Sequence, residues 1–151
     1  MTMQPIFPIL LEKAIFPTID VVRNSEESNQ SIQIIDPEFS SVCPVTGLPD
    51  FGRVILQYTP DKYVVELKSL KLYYRAYYGV GIMHEPVTSK ILSDFVEAIN
   101  PLKAQVVIDW GARGGLKTVT GLAWDHNSKF ERKVWYSGEV YASAQTDWTN
   151  C

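Results

Sequence analysis

The stretch Tyr63-Val64-Val65-Glu66-Leu67-Lys68-Ser69-Leu70-Lys71-Leu72-Tyr73-Tyr74 changes its hydrophobic period halfway along, and this change decides the predicted fold. Its first five residues are rich in side chains that favour β-strands. From Leu70 onward the period becomes that of an amphipathic helix, entered through Ser69 as N-cap. The apolar positions of this helix are Leu70, Tyr73, Tyr74 and Tyr77, and Gly79 and Gly81 are predicted to end it.

A second, longer helix follows at once. Pro86 suits its first turn, because proline lacks the N–H that a helix start leaves unpaired, and Asn100-Pro101 ends it. One face of this helix is apolar and consists of Val87, Ile91, Phe95 and Ile99. Two successive helices therefore separate the strands of the first half of the chain from those of the second half.

Strands are predicted on both sides of the helices. These strands are Ser31 to Ile35, Arg53 to Tyr58, Gln105 to Trp110 and Lys117 to Trp124. Asp36-Pro37 stops or bends the first strand, and a turn between the last two strands is predicted at Arg113-Gly114-Gly115. The order strands, helices, strands predicts an α+β fold with an antiparallel sheet.

The two ends of the chain carry weaker patterns. Residues 1–30 hold prolines at positions 5, 8 and 17 and a polar run from Arg23 to Gln30, which predicts an arm and loop suited to packing against a neighbouring subunit. Residues 31–125 form the predicted domain. In the C-terminal extension, residues 126–151, the segment Val134 to Ala142 is either a final strand or an addition peculiar to this protein, with no chemistry assigned.

Composition and charge restrict the classes of partner. The chain has 151 residues, 46% hydrophobic and 21% charged, as expected of one globular domain. Its 14 basic and 17 acidic side chains give a net charge of −3, which argues against nucleic acid as a general partner. No apolar run approaches the roughly 18 residues of a membrane span, and the apolar N-terminus lacks the features of a signal peptide. Two cysteines far apart in the chain predict reduced thiols in the cytoplasm.

Cys43 lies in the polar, turn-forming stretch Ser40-Ser41-Val42-Cys43-Pro44-Val45-Thr46-Gly47-Leu48-Pro49-Asp50. Pro44 suits a first helical turn, so the sulfur is expected to face free backbone N–H groups that stabilise a thiolate. A buried, inert cysteine is the alternative, although such a loop is a poor place to bury a core residue. Asp50 is either a turn residue or a carboxyl group that relays protons for the thiol. The loop therefore predicts an exposed nucleophile with a proton partner.

Three further motifs carry candidate chemistry. In the pair His84-Glu85, Glu85 is either a helix N-terminal residue stabilised by the helix dipole or an acceptor for the N–H donors of a purine-like ring. His84 is either a structural residue or a proton donor. Lys68 and Lys71 are either solvated or, with the Arg113 fork, part of a basic nest for a phosphorylated cofactor. Neither of these basic segments matches a Rossmann or P-loop pattern.

Together these motifs, in this order and at these distances, resemble the 7-cyano-7-deazaguanine reductases, the NADPH-dependent nitrile reductases of the queuosine pathway, in their short single-module form. The resemblance covers about residues 36–125. It implies a tunnelling fold, a ββααββ unit with both helices on one face of an antiparallel sheet. Subunits of this fold join into a ring-shaped barrel with active sites between them, and the short form implies a homodecamer of two stacked pentamers.

The resemblance also implies a role for each motif. Cys43 adds to the nitrile carbon to form a thioimide, Asp50 protonates the nitrile nitrogen, and His84 assists proton transfer or orientation. The residues implied in substrate binding are Glu85, Glu66 and Ser69. The residues implied in NADPH binding are Lys68, Lys71, Arg113 and Gly114. The implied reaction is a four-electron reduction of 7-cyano-7-deazaguanine to 7-aminomethyl-7-deazaguanine, without a metal.

The chain departs from that family at two places. Ala76-Tyr77-Tyr78-Gly79 stands where Ser-Phe-Arg-Asn is usual, and Met83 stands where an aromatic residue commonly precedes the His-Glu pair. Two alternatives therefore remain open: an archaeosine-type amidinotransferase acting on the same nitrile in nucleic acid, and a non-catalytic deazaguanine-binding relative. The intact motif from Glu66 to Lys71 favours the reductase, because the amidinotransferases have lost it. A zinc-dependent GTP cyclohydrolase is disfavoured, because the two cysteines and two histidines make no credible ligand set.

Overall fold

The computed structural model describes residues 9–25, 30–127 and 129–131 of the chain. The segment Val134 to Ala142, predicted as a strand or an extension, lies outside these ranges, as does Cys151. Neither helix within these ranges is long and apolar enough to cross a bilayer.

Within these ranges most strands belong to one sheet. In chain order the elements are β1 (Ile9–Leu10), β2 (Val21–Arg23), β3 (Ile32–Val42), β4 (Pro49–Thr59), β5 (Tyr63–Val65), α1 (Leu67–Arg75), β6 (Val80–Gly81), α2 (His84–Ile99), β7 (Lys103–Trp110), β8 (Val119–Asp125) and β9 (Lys129–Glu131). The sheet has the order β1-β6-β3-β4-β7-β8-β9, and β2 pairs with β5 separately. The α+β prediction is confirmed. The long strand pairs are antiparallel as predicted, whereas the short β6 lies parallel to β1 and β3, so the sheet is mixed.

The first long strand bends at Asp36-Pro37 and does not stop there. The register of β3 against β4 shifts between Asp36 and Phe39, and pairing then continues to Val42. The bend is held by Arg75 of α1, which donates from Nη1 to Asp36 Oδ2 at 2.9 Å and from Nη2 to Asp36 Oδ1 at 3.1 Å. A bulge changes the direction of a strand without ending it. Here β3 continues beyond the bulge and ends directly before Cys43.

Helix α1 begins three residues before the predicted start, because Glu66 and not Ser69 is its N-cap. The Glu66 carboxylate accepts the N–H groups of Lys68 at 2.9 Å and Ser69 at 2.7 Å. The prediction of Ser69 as N-cap is therefore wrong: its hydroxyl lies within the first turn, donates to Glu66 O and accepts the Asp20 N–H. The helix also ends at Arg75, before Gly79, although the predicted apolar positions are buried.

Helix α2 follows the prediction closely. Its predicted apolar face of Val87, Ile91, Phe95 and Ile99 is completely buried. The helix ends where Asn100 adopts a left-handed conformation, with φ of 48°, and donates its N–H to Val96 O. Both helices share one core with alternate residues of β4 and β7, and they therefore pack on the same face of the sheet.

Aromatic rings fill much of this core, and the described part of the arm packs against it. Phe39 lies 5.2 Å from Tyr77 and 6.0 Å from Trp110, measured between ring centroids. From the arm, Phe16 lies 4.7 Å from Tyr77, and the Lys90 ammonium lies 4.5 Å above the Phe16 ring. Residues 9–25 thus contact the helices of their own chain, and packing of the arm on a neighbouring subunit stays a prediction.

The Glu66 cap predicts a pH-dependent contribution to stability. Hydrogen bonds from the Lys68 and Ser69 N–H groups lower the pKa of Glu66 below its ordinary value of 4.5. The charged cap therefore stabilises the fold above that value, and its contribution is lost as the pH falls through the lower folded-state pKa. We expect Glu66→Ala to lower the urea midpoint at pH 7, and the gap to wild type to shrink on acidification. Glu97→Ala, an exposed position on α2, is the control, and a gap independent of pH would contradict the cap.

Candidate active site

Cys43 lies just beyond the end of β3 and under its own loop. Its N–H donates to Leu48 O at 2.9 Å, and the Gly47 N–H donates to Cys43 O at 2.8 Å. These two bonds fold the exposed residues 44–49 over the cysteine, which is only 7% exposed. The prediction of an exposed thiol is therefore wrong. A loop made of turn residues still buries its first residue when it closes back on itself.

Despite this burial, the surroundings of Cys43 favour its thiolate. Hydrogen bonds from the Thr46 hydroxyl and the Thr46 N–H lower the pKa of the Cys43 thiol from 9.0 to about 7. The Arg113 guanidinium and the Val45 N–H act in the same direction, whereas burial opposes them. The expectation that backbone N–H groups after Cys43 face the sulfur is met, and the larger contribution of the Thr46 side chain was not foreseen.

Asp50 is buried beside this loop with a basic side chain at each carboxylate oxygen. Asp50 lies on β4, where it pairs with Ser41 of β3. Arg113 Nη1 lies 2.6 Å from Asp50 Oδ1, and His84 Nε2 lies 3.3 Å from Asp50 Oδ2. Arg113 also hydrogen-bonds to Cys43, and the charges of Cys43 and Asp50 together raise the pKa of Arg113. Cys43, Asp50, His84 and Arg113 therefore form one cluster, which we call the thiol cluster.

His84 is held by Trp110, a residue that the sequence reasoning did not single out. The imidazole stacks on the indole with centroids 3.9 Å apart and planes only 6° from parallel. Trp110 is fully buried, and its Nε1 donates to Thr120 Oγ1 at 3.0 Å. Thr120 Oγ1 lies 2.6 Å from Thr88 Oγ1, one turn along α2 from His84. The signal available in the sequence was the position of Trp110 at the end of a strand that leads into the Arg113 turn.

Glu85 follows His84 in the chain but makes none of the described contacts within the thiol cluster. It is exposed in the first turn of α2 and lines a cleft of about 320 Å³ between that helix and β8. The other lining residues are Thr88, Ser89, Val119, Thr120, Gly121 and Leu122. The volume lies at the lower end of the range for small-molecule sites. Through Thr88 and Thr120, this cleft adjoins the residues that support His84.

The lysine motif forms a second cluster at the start of α1. Lys68 and Lys71 are exposed, whereas Glu66 and Ser69 are engaged in the cap and the contact with Asp20. Lys71 lines a cleft of about 230 Å³ whose other walls are Ile34, Ile35, Asp36, Leu67, Leu70, Tyr74 and Arg75. The buried Tyr74 hydroxyl has no hydrogen-bond partner within the described residues. A cation, apolar walls and a spare hydroxyl suit a phosphorylated cofactor with an aromatic ring.

The two clusters are separated within one chain. From Asp36, beside the lysine motif, to Val42, beside Cys43, β3 spans about 20 Å at ~3.3 Å per residue. Arg113, predicted with the lysines as a cofactor residue, contacts Asp50 of the thiol cluster, and Gly114 follows it in the turn; cofactor binding by these two residues stays a prediction. Among the described residues, no three His, Cys, Asp or Glu side chains are arranged to hold a metal ion.

The lowered pKa of Cys43 predicts how it reacts with alkylating agents. With a pKa of about 7, close to half of the thiol is ionised at pH 7, against about 1% for a pKa of 9.0. In a Cys151→Ser background, we expect the rate of alkylation by iodoacetamide to rise with pH to a midpoint near 7. Thr46→Val should move this midpoint upward, because it removes the hydroxyl that contributes most. Thr18→Val, an exposed threonine of the arm, should leave it unchanged, and a wild-type midpoint near 9 would refute the assignment.

Comparison with known proteins identifies the family. The family model described as QueF-like protein matches residues 49–129, more than half of the chain. NADPH-dependent 7-cyano-7-deazaguanine reductase of Chloroherpeton thalassium is 50% identical over 95 residues, which cover 63% of this chain and 82% of the relative. The protein of the same name from Chlorobaculum tepidum is 49% identical over 104 residues, with coverages of 68% and 89%. The apo crystal structure of an archaeosine synthase, QueF-Like, matches in fold with a TM-score of 0.61 at 22% identity, over 66% of this chain and 97% of that chain. The chain belongs to the QueF-like protein family.

Proposed function

We propose that this chain catalyses the NADPH-dependent four-electron reduction of 7-cyano-7-deazaguanine to 7-aminomethyl-7-deazaguanine. The relatives from C. thalassium and C. tepidum, whose names state this substrate and cofactor, share about half of the aligned residues over most of their length. The observation that carries the proposal is the Cys43 thiol, whose pKa of about 7 provides a nucleophile beside the paired Asp50 and His84.

The thiol cluster supplies what the addition to a nitrile requires. The Cys43 sulfur forms a bond to the nitrile carbon, one C–N π bond breaks, and the nitrogen takes up a proton to give a thioimide. That proton comes from the Asp50–His84 pair, whose Oδ2 and Nε2 atoms lie 3.3 Å apart. The C–S bond breaks during the reduction and returns the thiolate to Cys43. A reduced thiol is needed throughout, and we place the reaction in the cytoplasm for that reason.

Residues of the lysine motif are assigned to the cofactor. The cleft beside α1 offers the Lys71 ammonium and the apolar walls of Leu70 and Tyr74, and Lys68 adds a second exposed cation at the same end of the helix. Arg113 and Gly114 are assigned to NADPH on the family resemblance. When bound, each NADPH would supply one hydride, and two NADPH in succession would take the nitrile carbon to a primary amine.

Glu85 is assigned to the deazaguanine ring. Its exposed carboxylate in the cleft between α2 and β8 is available to accept two N–H donors of the ring edge. The described hydrogen bonds of the Glu66 and Ser69 side chains join these residues to each other, to Lys68 and to Asp20, and none joins them to the thiol cluster. Their predicted contact with substrate would therefore be with a molecule bound at Cys43 of a neighbouring subunit.

The departures from the family pattern leave the backbone of the site region intact. Gly79 has a φ of +89°, a left-handed conformation that glycine adopts freely and that asparagine tolerates better than most residues. Glycine in place of the usual asparagine therefore keeps the same chain path. Tyr77 is fully buried in the aromatic core, and Tyr78 is 70% exposed. These placements favour a working enzyme over a non-catalytic relative.

We further propose that the subunits assemble into a ring-shaped barrel, as a decamer of two stacked pentamers. In the described residues β3 pairs with β4 along its length but with β6 only at Val42, which leaves a long open edge able to pair with another sheet. Exposed apolar residues also lie close in sequence to members of the thiol cluster, and we call them the apolar rim: Val45, Leu48, Phe51, Met83 and Leu116. A neighbouring subunit on this side would cover the rim and bring its own lysine motif towards Cys43.

An assay with 7-cyano-7-deazaguanine and NADPH tests the reaction. We expect two NADPH consumed for each nitrile reduced, because each hydride carries two electrons. Cys43→Ala should abolish turnover, whereas Ser93→Ala, on the exposed side of α2, should retain it. A mass increase on Cys43 without NADPH oxidation would refute the reductase, and amidination of nitrile-bearing RNA by ammonia would replace it with the archaeosine-type activity.

Light scattering tests the assembly. We expect about 170 kDa, ten times the 17.1 kDa of one chain. Leu116→Asp should lower the assembled mass, because it puts a charge into the apolar rim where Leu116 is 77% exposed. Ser93→Asp on α2 is the control for added charge. A monomer in the wild type would refute the ring.

A further inference from the structure

We propose that Arg113 is a positioning residue of the thiol cluster, which holds the Asp50 carboxylate and the Cys43 loop in one fixed arrangement through its guanidinium. This inference deepens the proposed function, on which it rests, because the nucleophile and its acid must be aligned before substrate arrives. It gives Arg113 a task that is independent of any contact with the cofactor.

The guanidinium contacts both halves of the cluster. Nη1 donates to Asp50 Oδ1 at 2.6 Å, and Nη2 donates to Thr46 Oγ1 at 3.4 Å. Thr46 is in turn the main hydrogen-bond donor to the Cys43 thiol, and Arg113 itself also hydrogen-bonds to that sulfur. The planar fork of arginine can serve two acceptors at once, which a lysine ammonium on a flexible stem does less well.

The backbone around Arg113 is built to present this side chain. Arg113 and Leu116 exchange two backbone hydrogen bonds, of 2.8 and 2.9 Å, across a two-residue turn. The two central residues, Gly114 with φ of +57° and Gly115 with φ of +81°, have the left-handed conformations that such hairpin turns require. At the base of the hairpin, the Gly111 N–H donates to Phe51 O at 2.8 Å, directly beside Asp50. The turn is therefore tied to the strand that carries the acid.

The other groups that face the cluster do not replace Arg113. His84, from α2, contacts the second oxygen of Asp50 and stacks on Trp110. The Val45 and Thr46 N–H groups reach the sulfur from within the loop, but they make no described contact with Asp50. Among the described contacts, Arg113 alone joins the sulfur and the carboxylate. Its loss would free the loop from the acid and remove a positive charge from the thiolate.

The test uses the full chain with Cys151→Ser, so that Cys43 is the remaining thiol, and measures iodoacetamide alkylation against pH. We expect Arg113→Met to move the alkylation midpoint upward. Its rate at pH 7, divided by its own rate at high pH, should be about fivefold lower than the same ratio for the protein that retains Arg113. Arg113→Lys should fall between the two, because it keeps the charge but not the fork. Gly114→Ala should shift the midpoint in the same direction as Arg113→Met, because alanine strains the turn that presents the guanidinium.

Lys117→Met is the matched control, since it removes one positive charge from the same hairpin while its partner is Asp109. If Lys117→Met shifted the alkylation midpoint as much as Arg113→Met, the proposal would be overturned, because the loss of any positive charge in this hairpin would then explain the shift. An unchanged midpoint in Arg113→Met, in a protein with wild-type circular dichroism, would also overturn it, and a raised KM for NADPH alone would then assign Arg113 to the cofactor. The alkylation readout needs neither nitrile nor NADPH, so failure of the proposed reaction and failure of this inference are distinguishable.

Discussion

The Asp50 carboxylate is almost completely buried, and the basic side chains that compensate its charge define the site. Burial without partners would cost several kcal/mol, which a fold of ordinary stability cannot absorb. Arg113 from the β7–β8 hairpin and His84 from the start of α2 each take one oxygen. The Cys43 loop joins the same arrangement through Thr46. Parts of the chain far apart in sequence therefore meet at one carboxylate, whereas the low pKa of the Cys43 thiol comes mainly from Thr46 in its own loop, with a smaller contribution from Arg113.

Behind this cluster the support is rigid. Trp110 is fully buried among aromatic rings, and its indole is fixed by Thr120, which also contacts Thr88 of α2. His84 thus lies on a surface whose own position is set by the sheet and the helix together. The residues of the apolar rim are exposed in the single chain.

Local patterns were most reliable where one element decides its own structure. The spacing of Val87, Ile91, Phe95 and Ile99 requires an apolar helical face, and these residues form the buried side of α2. The prediction missed the cap of α1 because glutamate is not among the preferred N-cap residues. Here the Glu66 carboxylate accepts the N–H groups of Lys68 and Ser69, and the Ser69 hydroxyl accepts the N–H of Asp20 in the arm. The bend at Asp36 depends on Arg75, thirty-nine positions away. No local pattern contains that contact.

By itself the sequence determined the α+β order of elements, the turn at Gly114-Gly115 and the presence of a cysteine and an acid seven positions apart, because each of these depends on residues that are neighbours along the chain. Only the tertiary structure decided that Cys43 is buried yet has a low pKa, since hydrogen bonds from Thr46 and then Arg113 outweigh the opposing effect of burial on the same sulfur. It also decided that Trp110 supports His84 and that Arg113 contacts Asp50. These relations join residues from different elements, and their distances depend on how the sheet and helices pack.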